Sequence, residues 1–258
     1  MSELASLSFE TRWLGRPHEH WAALASTNDR ALAWAREGAP HGALVTADAQ
    51  TAGRGRLGRA WASPPGEDLY MSLVLRPGSS REIGALGLAV GAGLREGLAT
   101  WVPWALLKWP NDVLCDGRKL AGILCEARWT DGVPEVVAGI GINVGRRTFA
   151  GPLAETATSL ARALPTAPPR AEVLGHVLPA IEAAVEAFLA GGFAAIRGRY
   201  EPHCALRGQV VSVELNAGTG AREQARALGF DDDGALRVEP LAGGPTRRVE
   251  SGDVWLAQ

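Results

Sequence analysis

The chain predicts an α+β fold, a mixed sheet with helices over residues 1–204, followed by a small C-terminal SH3-like β-barrel over residues 205–258. Three observations carry that reading. Helical and strand patterns are interspersed along the first two hundred residues. Asp116-Gly117 and Asp131-Gly132 stand between consecutive apolar runs, the turn chemistry of antiparallel hairpins. After Pro202 the composition changes, and five short β runs follow in about fifty residues, a density that suggests a small barrel. So small a module packs best on the larger domain.

In chain order, Ser26-Thr27-Asn28-Asp29 offers N-cap chemistry for a helix through Arg36, ended by Gly38 and Pro40. Ala43 to Ala47 reads as a buried strand, and a glycine-rich loop runs from Gly53 to Gly58. Leu69 to Leu75 is a strand stopped by Pro77-Gly78. Arg81 to Trp101 reads as a helix rich in Gly and Ala, suited to close packing on a sheet. Strands are expected over Ala105–Lys108, Val113–Cys115, Leu120–Ala127 and Glu135–Val144. Pro165, Pro168 and Pro169 mark an exposed connection. A helix then runs from Ala171 to Ala190 despite Pro179, Gly191-Gly192 ends it, and a shorter one covers Phe193 to Tyr200. The last five strands are Gln209–Leu215, Glu223–Phe230, Ala235–Pro240, Arg247–Glu250 and Val254–Leu256.

Composition narrows the function classes. The net charge of -2 provides no global basic field for nucleic acid or membrane, so local clusters must carry any anion binding. Three cysteines, Cys115, Cys125 and Cys204, are odd in number and lack CxxC spacing, which supports neither a disulfide framework nor a zinc site. The first dozen residues hold no apolar signal core, and no run of about 18 apolar residues suggests a membrane span. A cytoplasmic protein is expected.

Two segments concentrate chemistry. Of 26 Lys+Arg residues only Lys108 and Lys119 are lysines, and both fall within one window that also holds Asn111 and Asp112. Where arginine is the default, two clustered lysines point to a site that needs a compact ammonium rather than a planar fork. The other segment is Gln50-Thr51-Ala52-Gly53-Arg54-Gly55-Arg56-Leu57-Gly58-Arg59-Ala60-Trp61. Gly53, Gly55 and Gly58 satisfy G-x-G-x-x-G, but Pro64-Pro65-Gly66 and a strand follow where a dinucleotide fold needs a helix. Arg54, Arg56 and Arg59 would repel one another in an empty loop, so a loop that is mobile when empty and orders over a phosphorylated ligand is expected. Trp61 could stack on a base or join the core.

These residues resemble the adenylate-binding loop of biotin–protein ligases. The resemblance continues through Ser26-Thr27-Asn28, Lys108-Trp109-Pro110-Asn111-Asp112, Lys119-Leu120-Ala121-Gly122-Ile123-Leu124 and Gly139-Ile140-Gly141-Ile142-Asn143-Val144, in family order. It implies a class II aminoacyl-tRNA synthetase/biotin ligase-like catalytic domain and a two-step acyl transfer. Biotin and ATP would form biotinyl-5′-AMP and pyrophosphate, and a lysine of a biotin carboxyl carrier protein would then take the biotinyl group. Lys119, Lys108 and Arg56 are implied as catalytic. Ser26, Thr27, Asn28, Gln50, Gly53 and Arg54 would approach biotin, with Arg56 and Lys119, and Gly122 and Ile123 along its tail. Arg54, Arg56, Arg59, Trp61, Lys108, Asn111 and Asn143 would face the nucleotide, and Asp112 would ligate Mg²⁺. Neither step needs a covalent enzyme intermediate, and positioning with electrostatics would carry most of the rate. Some relatives carry an N-terminal helix-turn-helix. Here the Ser-Thr-Asn block starts at residue 26, so a ligase without operator binding is expected. Edge-to-edge sheet pairing in a homodimer is implied, with a monomer as the alternative. A lipoate or octanoyl ligase and a nucleic-acid-binding protein are the competing readings.

Overall fold

A computed structural model describes residues 2–5, 7–78, 83–130, 132–214 and 222–256. Seven strands build the larger sheet: β1 (His18–Trp21), β2 (Leu44–Ala47), β3 (Leu69–Leu75), β4 (Leu106–Lys108), β5 (Asp112–Cys115), β6 (Arg118–Thr130) and β7 (Val133–Ile142), in the order β1-β2-β3-β7-β6-β5-β4. All neighbours are antiparallel except β1 and β2. β3 lies inside the sheet between β2 and β7 and every residue in it is buried, which is why its sequence, LYMSLVL, is apolar but for Ser72.

The two faces of the sheet carry different helices. Ala31, Leu32 and Ala35 of α1 (Thr27–Arg36) pack on Val45, Val74 and Val137. The opposite face, with Leu44, Leu73, Ala138 and Ile140, meets α2 (Leu86–Leu98) and joins the main core with the later helix α5 (Arg170–Tyr200). Two single-turn helices, α3 (Leu153–Thr156) and α4 (Leu160–Ala163), precede α5. The glycines of α2 serve chiefly a helix contact: a Cβ on Gly93 would sit 2.5 Å from Ile181 Cα, and one on Gly97 2.5 Å from Val177 Cα, so α2 and α5 approach backbone to backbone. α5 is long and apolar enough to cross a membrane by length and composition. It is a core helix instead, with Val173, Leu174, Val177, Leu178, Ile181 and Val185 buried in the packed interior. Gly192, at φ +64°, breaks it where the Gly-Gly pair was expected to.

The remaining strands are β8 (Val210–Glu214), β9 (Arg222–Phe230), β10 (Leu236–Pro240), β11 (Arg247–Val249) and β12 (Val254–Leu256). They form a second sheet in the order β11-β10-β9-β8-β12. The expected barrel is not closed: among the described residues β11 pairs only with β10 and β12 only with β8. Each is three residues long. The expected starts and turns at Arg81 and Asp131, and the strand end at Leu215, lie outside the described residues. Strand β1 was missed because His-Glu-His-Trp at a sheet edge carries no apolar alternation.

Candidate functional site

The site lies on the α1 face of the sheet, where β6 and β7 have given up their side chains. Gly122 pairs with Gly141 across those strands, and Gly139 lies two residues before Gly141 on the same face. A Cβ on Gly141 would lie 2.4 Å from the Trp61 ring, and one on Gly139 2.0 Å from Asn28 Oδ1. The missing side chains make a flat floor on which Trp61 and Asn28 rest. The indole Nε1 of Trp61 lies over Gly141, buried and without a hydrogen-bond partner among the described residues.

One wall of the cleft is the N-terminus of α1. Ser26 stands at the N-cap in extended conformation, but its side chain makes no capping hydrogen bond. Gln50 replaces it: its Oε1 accepts from the Thr27 N–H at 2.8 Å and from the Thr27 hydroxyl at 3.1 Å, while its Nε2 donates to Ser63 Oγ at 3.0 Å. Asn28 is spent on structure, accepting from Ser72 Oγ at 2.6 Å and donating to Glu126 at 2.7 Å. Ser26 thus keeps its hydroxyl clear of capping at the cleft wall.

The arginine-rich loop forms the roof. The segment Arg56–Gly58 is a single 3₁₀ turn, with Leu57 and Gly58 at positive φ, and leads to an extended chain rather than a helix, so no dinucleotide fold forms. No Cβ fits at Gly53, where Trp61 O would lie 2.7 Å away, and Trp61 N–H donates to Gly53 O at 2.8 Å to close the loop neck. The three guanidiniums do not face one another unpaired. Arg54 forks onto Asp29 at 2.7 and 2.8 Å and reaches Glu126 at 3.4 Å. Arg59 meets Asp253 at 2.9 Å. Arg56 donates to Gly252 O at 3.2 Å and to Asn111 Oδ1 at 3.3 Å, with Asp253 at 3.6 Å. Burial holds the Arg56 pKa below its ordinary value, against the pull of Asp253.

The floor beyond Trp61 carries the lysines. Lys108 and Asp112 are register partners across the β4–β5 hairpin, and Lys119 lies on β6 next to it. Lys119 Nζ stands 2.6 Å from Asp112 Oδ1 and 5.3 Å from the Trp61 ring centre. Burial lowers the Lys108 pKa, with Asp112 opposing and Lys119 adding to the shift.

Two clefts meet here. The first has room for about 270 Å³ and is lined by Ser26, Thr27, Asn28, Gln50, Arg54, Arg56, Asn111, Gly122 and Ile123. The second, about 530 Å³, is lined by Asn143, Arg146, Phe149, Glu155 and Ala157. Arg59, Trp61, Lys108, Asp112 and Lys119 belong to both. The expected residues are therefore gathered at one place, although Gly53 acts in the loop neck rather than the lining. Asn143 borders the second cleft, its amide already donating to Thr158 O at 2.8 Å and Lys119 O at 3.3 Å. Sequence reading missed Asp253, Val254 and Trp255, which reach the site from the C-terminal sheet. Nothing local marks them; only packing brings them in. Gly139 and Gly141 had a signal in their two-residue spacing within a strand.

Among the described residues no group of three His, Cys, Asp or Glu could hold a metal ion. Among the described residues Asp112 Oδ1 is buried without a well-directed hydrogen bond, with the Lys119 ammonium 2.6 Å away. One carboxylate fits Mg²⁺ that is held mainly by phosphate oxygens and water.

Residues 22–143 match the model of the biotin/lipoate A/B protein ligase family. The chain is 34% identical over 264 residues to the bifunctional ligase/repressor BirA of Bacillus spizizenii, covering 96% of this chain and 76% of that protein. It is 36% identical over 240 residues to the biotin–[acetyl-CoA-carboxylase] ligase of Mycobacterium tuberculosis, covering 90% and 86%. The structure of the biotin protein ligase of Aquifex aeolicus in complex with biotin and ATP superimposes with a TM-score of 0.81 at 27% identity, covering 96% of this chain and all of that one. Shared sequence and fold together show that this chain belongs to the biotin protein ligases of the biotin/lipoate A/B protein ligase family.

Proposed function

We propose that the enzyme activates biotin with ATP, forming biotinyl-5′-AMP and pyrophosphate, and passes the biotinyl group to a lysine of a biotin carboxyl carrier protein. The observation that carries this reading is the position of Lys119, at the junction of two continuous clefts, against Asp112 and the Trp61 ring. A carboxylate entering from the first cleft and an α-phosphate entering from the second would meet at its ammonium. Both reactants are anionic, so fixed cations at that junction offset their repulsion and the charge that develops as the new C–O–P linkage forms.

The geometry supports the following roles. The glycine floor suits an apolar ring and tail, which would meet Ile123 only through its backbone because its side chain packs toward Gly91 of α2, and the Ser26 hydroxyl and Gln50 supply the few polar groups an otherwise apolar slot needs. Asn28 supports that wall from behind. Lys108 and Arg59, which line both clefts, face the phosphates, Arg56 and Asn111 approach them from the first cleft, and Arg54 braces the loop against Asp29. Asn143 braces the base side through its backbone bonds. Asp112 would hold Mg²⁺, which when bound supplies charge neutralisation on the phosphates. In the second step the carrier lysine attacks the acyl carbon and AMP leaves with its bonding electrons; the cations that held the phosphate stabilise that leaving group.

The domain division at 204/205 and the SH3-like character of the second sheet are part of this proposal, as is a homodimer. Residues 124–130 of β6 extend past its pairing with β5 and past the Asn111 bonds to Ile123, and leave a strand edge suited to a second copy. All three cysteines are free, which fits a reducing cytoplasm.

The test is isotope exchange of pyrophosphate into ATP with Mg²⁺, comparing biotin, lipoate and no acid. Exchange that requires biotin and disappears in Lys119→Ala is expected. Exchange with lipoate alone would reassign the pocket, and exchange with neither acid would sink the adenylation step.

A further inference from the structure

We infer that Asp68 and Arg146 form a positioning pair for the nucleotide side of the site, an inference that rests on the reading of ATP as substrate. Asp68 follows the Pro64-Pro65-Gly66 turn at the exit of the arginine-rich loop, and its side chain is fully buried. Arg146 lies three residues beyond Asn143, with its side chain 8% exposed. One Asp68 oxygen accepts the Val144 N–H at 2.9 Å; the other accepts Arg146 Nε at 2.8 Å and also pairs with Nη2. The same Nη2 donates to Ala62 O at 2.7 Å, 84 residues away in the chain. The guanidinium thus ties the loop exit to the end of β7.

A third segment joins the clamp. The Arg146 carbonyl accepts from the Ser159 hydroxyl, and Asn143 O and Val144 O accept the N–H groups of Leu160 at 3.1 Å and Ala161 at 2.8 Å. Ala62, Asn143, Arg146, Phe149 and Ala157 all line the second cleft, and the Arg146 guanidinium stands 5.0 Å from the Phe149 ring centre. The pair therefore sets the spacing of that cleft's walls.

Stability alone does not account for it. A buried ion pair can be replaced by packed neutral groups without loss, because desolvation offsets the Coulombic gain. A guanidinium does what neither an apolar chain nor an ammonium can: it sets two N–H groups on one carboxylate oxygen and still reaches a second acceptor in a fixed plane. The first cleft has its own anchors, Gln50 with Thr27 and Ser63, and Trp61 with Gly53. Loss of the pair should fall on ATP and spare biotin.

Arg146→Met alone leaves Asp68 buried without its counter-charge and is expected to be unstable. The informative protein is the double variant Asp68→Asn/Arg146→Met, which removes both charges and keeps an acceptor for the Val144 N–H. Steady-state exchange kinetics in both substrates, with melting temperature as the check on folding, are the measurement. The double variant is expected to melt near wild type, raise KM for ATP about tenfold, leave KM for biotin within about twofold and keep most of kcat at saturating ATP. Arg146→Lys, which cannot serve Asp68 and Ala62 together, should fall between. A folded double variant with wild-type KM for ATP overturns the proposal, as does a loss of kcat with KM unmoved, which marks a merely structural pair. Calorimetric titration of ATP reads the same ratio without turnover. If the wild type binds ATP but shows no biotin-dependent exchange, the parent reading fails while the tenfold difference in ATP affinity still decides this one. If the double variant binds ATP as the wild type does, the pair has no positioning role.

Discussion

Lys108 shows how a single residue's surroundings shape its chemistry. It is held partly away from water beside a second lysine, and burial foremost brings its pKa below the ordinary lysine value of 10.5. Its charge is complete below the shifted value and is lost as pH rises through it, at lower pH than for a solvent-exposed lysine. ATP affinity is therefore expected to weaken along that alkaline limb, whereas Lys108→Arg, charged throughout, should bind with a flat profile; titration of ATP binding across the range distinguishes them. The glycine floor makes a second prediction. Gly141→Ala would drive a methyl into the Trp61 ring, 2.4 Å away as the structure stands, and the ring must tilt into the cleft. Biotin-dependent exchange should fall on the order of 10- to 100-fold, with a melting curve close to wild type. Unaltered exchange would show that Trp61 moves freely off the floor.

At the scale of elements, α5 is fastened to the N-terminal segment by one buried carboxylate. Glu182 accepts the backbone N–H groups of Arg12, Trp13 and Leu14 at 2.9 to 3.0 Å. Burial alone would raise its pKa, but those three donors and the Arg12 charge outweigh it, and the folded value lies below the ordinary 4.5. A carboxyl depressed by folding contributes stability that is present above its unfolded value and is lost as pH falls through the folded one. The melting temperature should therefore drop as pH falls below about 4.5, and Glu182→Gln should melt lower at neutral pH and lose part of that acid dependence. Thermal melts between neutral and acid pH test both. The element α1 makes the complementary point: its cap is the side chain of Gln50, from the chain just beyond β2, and the serine at its N-cap position is thereby left for the cleft.

At the scale of the whole molecule, the two sheets share a core. Phe230 of β9 packs its ring 5.4 Å from Tyr200 and 5.6 Å from Phe193 of α5, and Trp109 Nε1 donates to Gly234 O at 3.2 Å. The second sheet also delivers Asp253 to Arg59 and Gly252 O to Arg56, so it forms part of the wall of the cleft. Phe230→Ala removes a buried aromatic ring at that joint and should cost about 3–5 kcal/mol. Tryptophan fluorescence and far-ultraviolet circular dichroism should report a single cooperative transition, shifted down together. Separate transitions would mean that the sheets fold independently.

Much of this protein was legible in one dimension. The strands β2, β3 and β5 to β7, the helices α1 and α2 and the Gly-Gly break in α5 could be read from apolar periodicity and turn residues, because those signals are local: a pleat repeats every two residues, and a helix every 3.6; the roles expected of Ser26, Gln50, Gly122 and Asn143 came from the family resemblance of the short motifs that hold them. The chemistry was legible for the same reason, since Arg54, Arg56 and Arg59 lie in one loop and Lys108, Asp112 and Lys119 in one pair of hairpins. Only the tertiary structure decided that the arginines are paired with acids from other elements, that Gln50 rather than Ser26 caps α1, that the five terminal strands stay open as a sheet, and that Asp68 and Arg146 meet. Each of those is a contact between segments far apart in the chain. Its partner is chosen by how the layers pack, and no window of neighbouring residues contains that information.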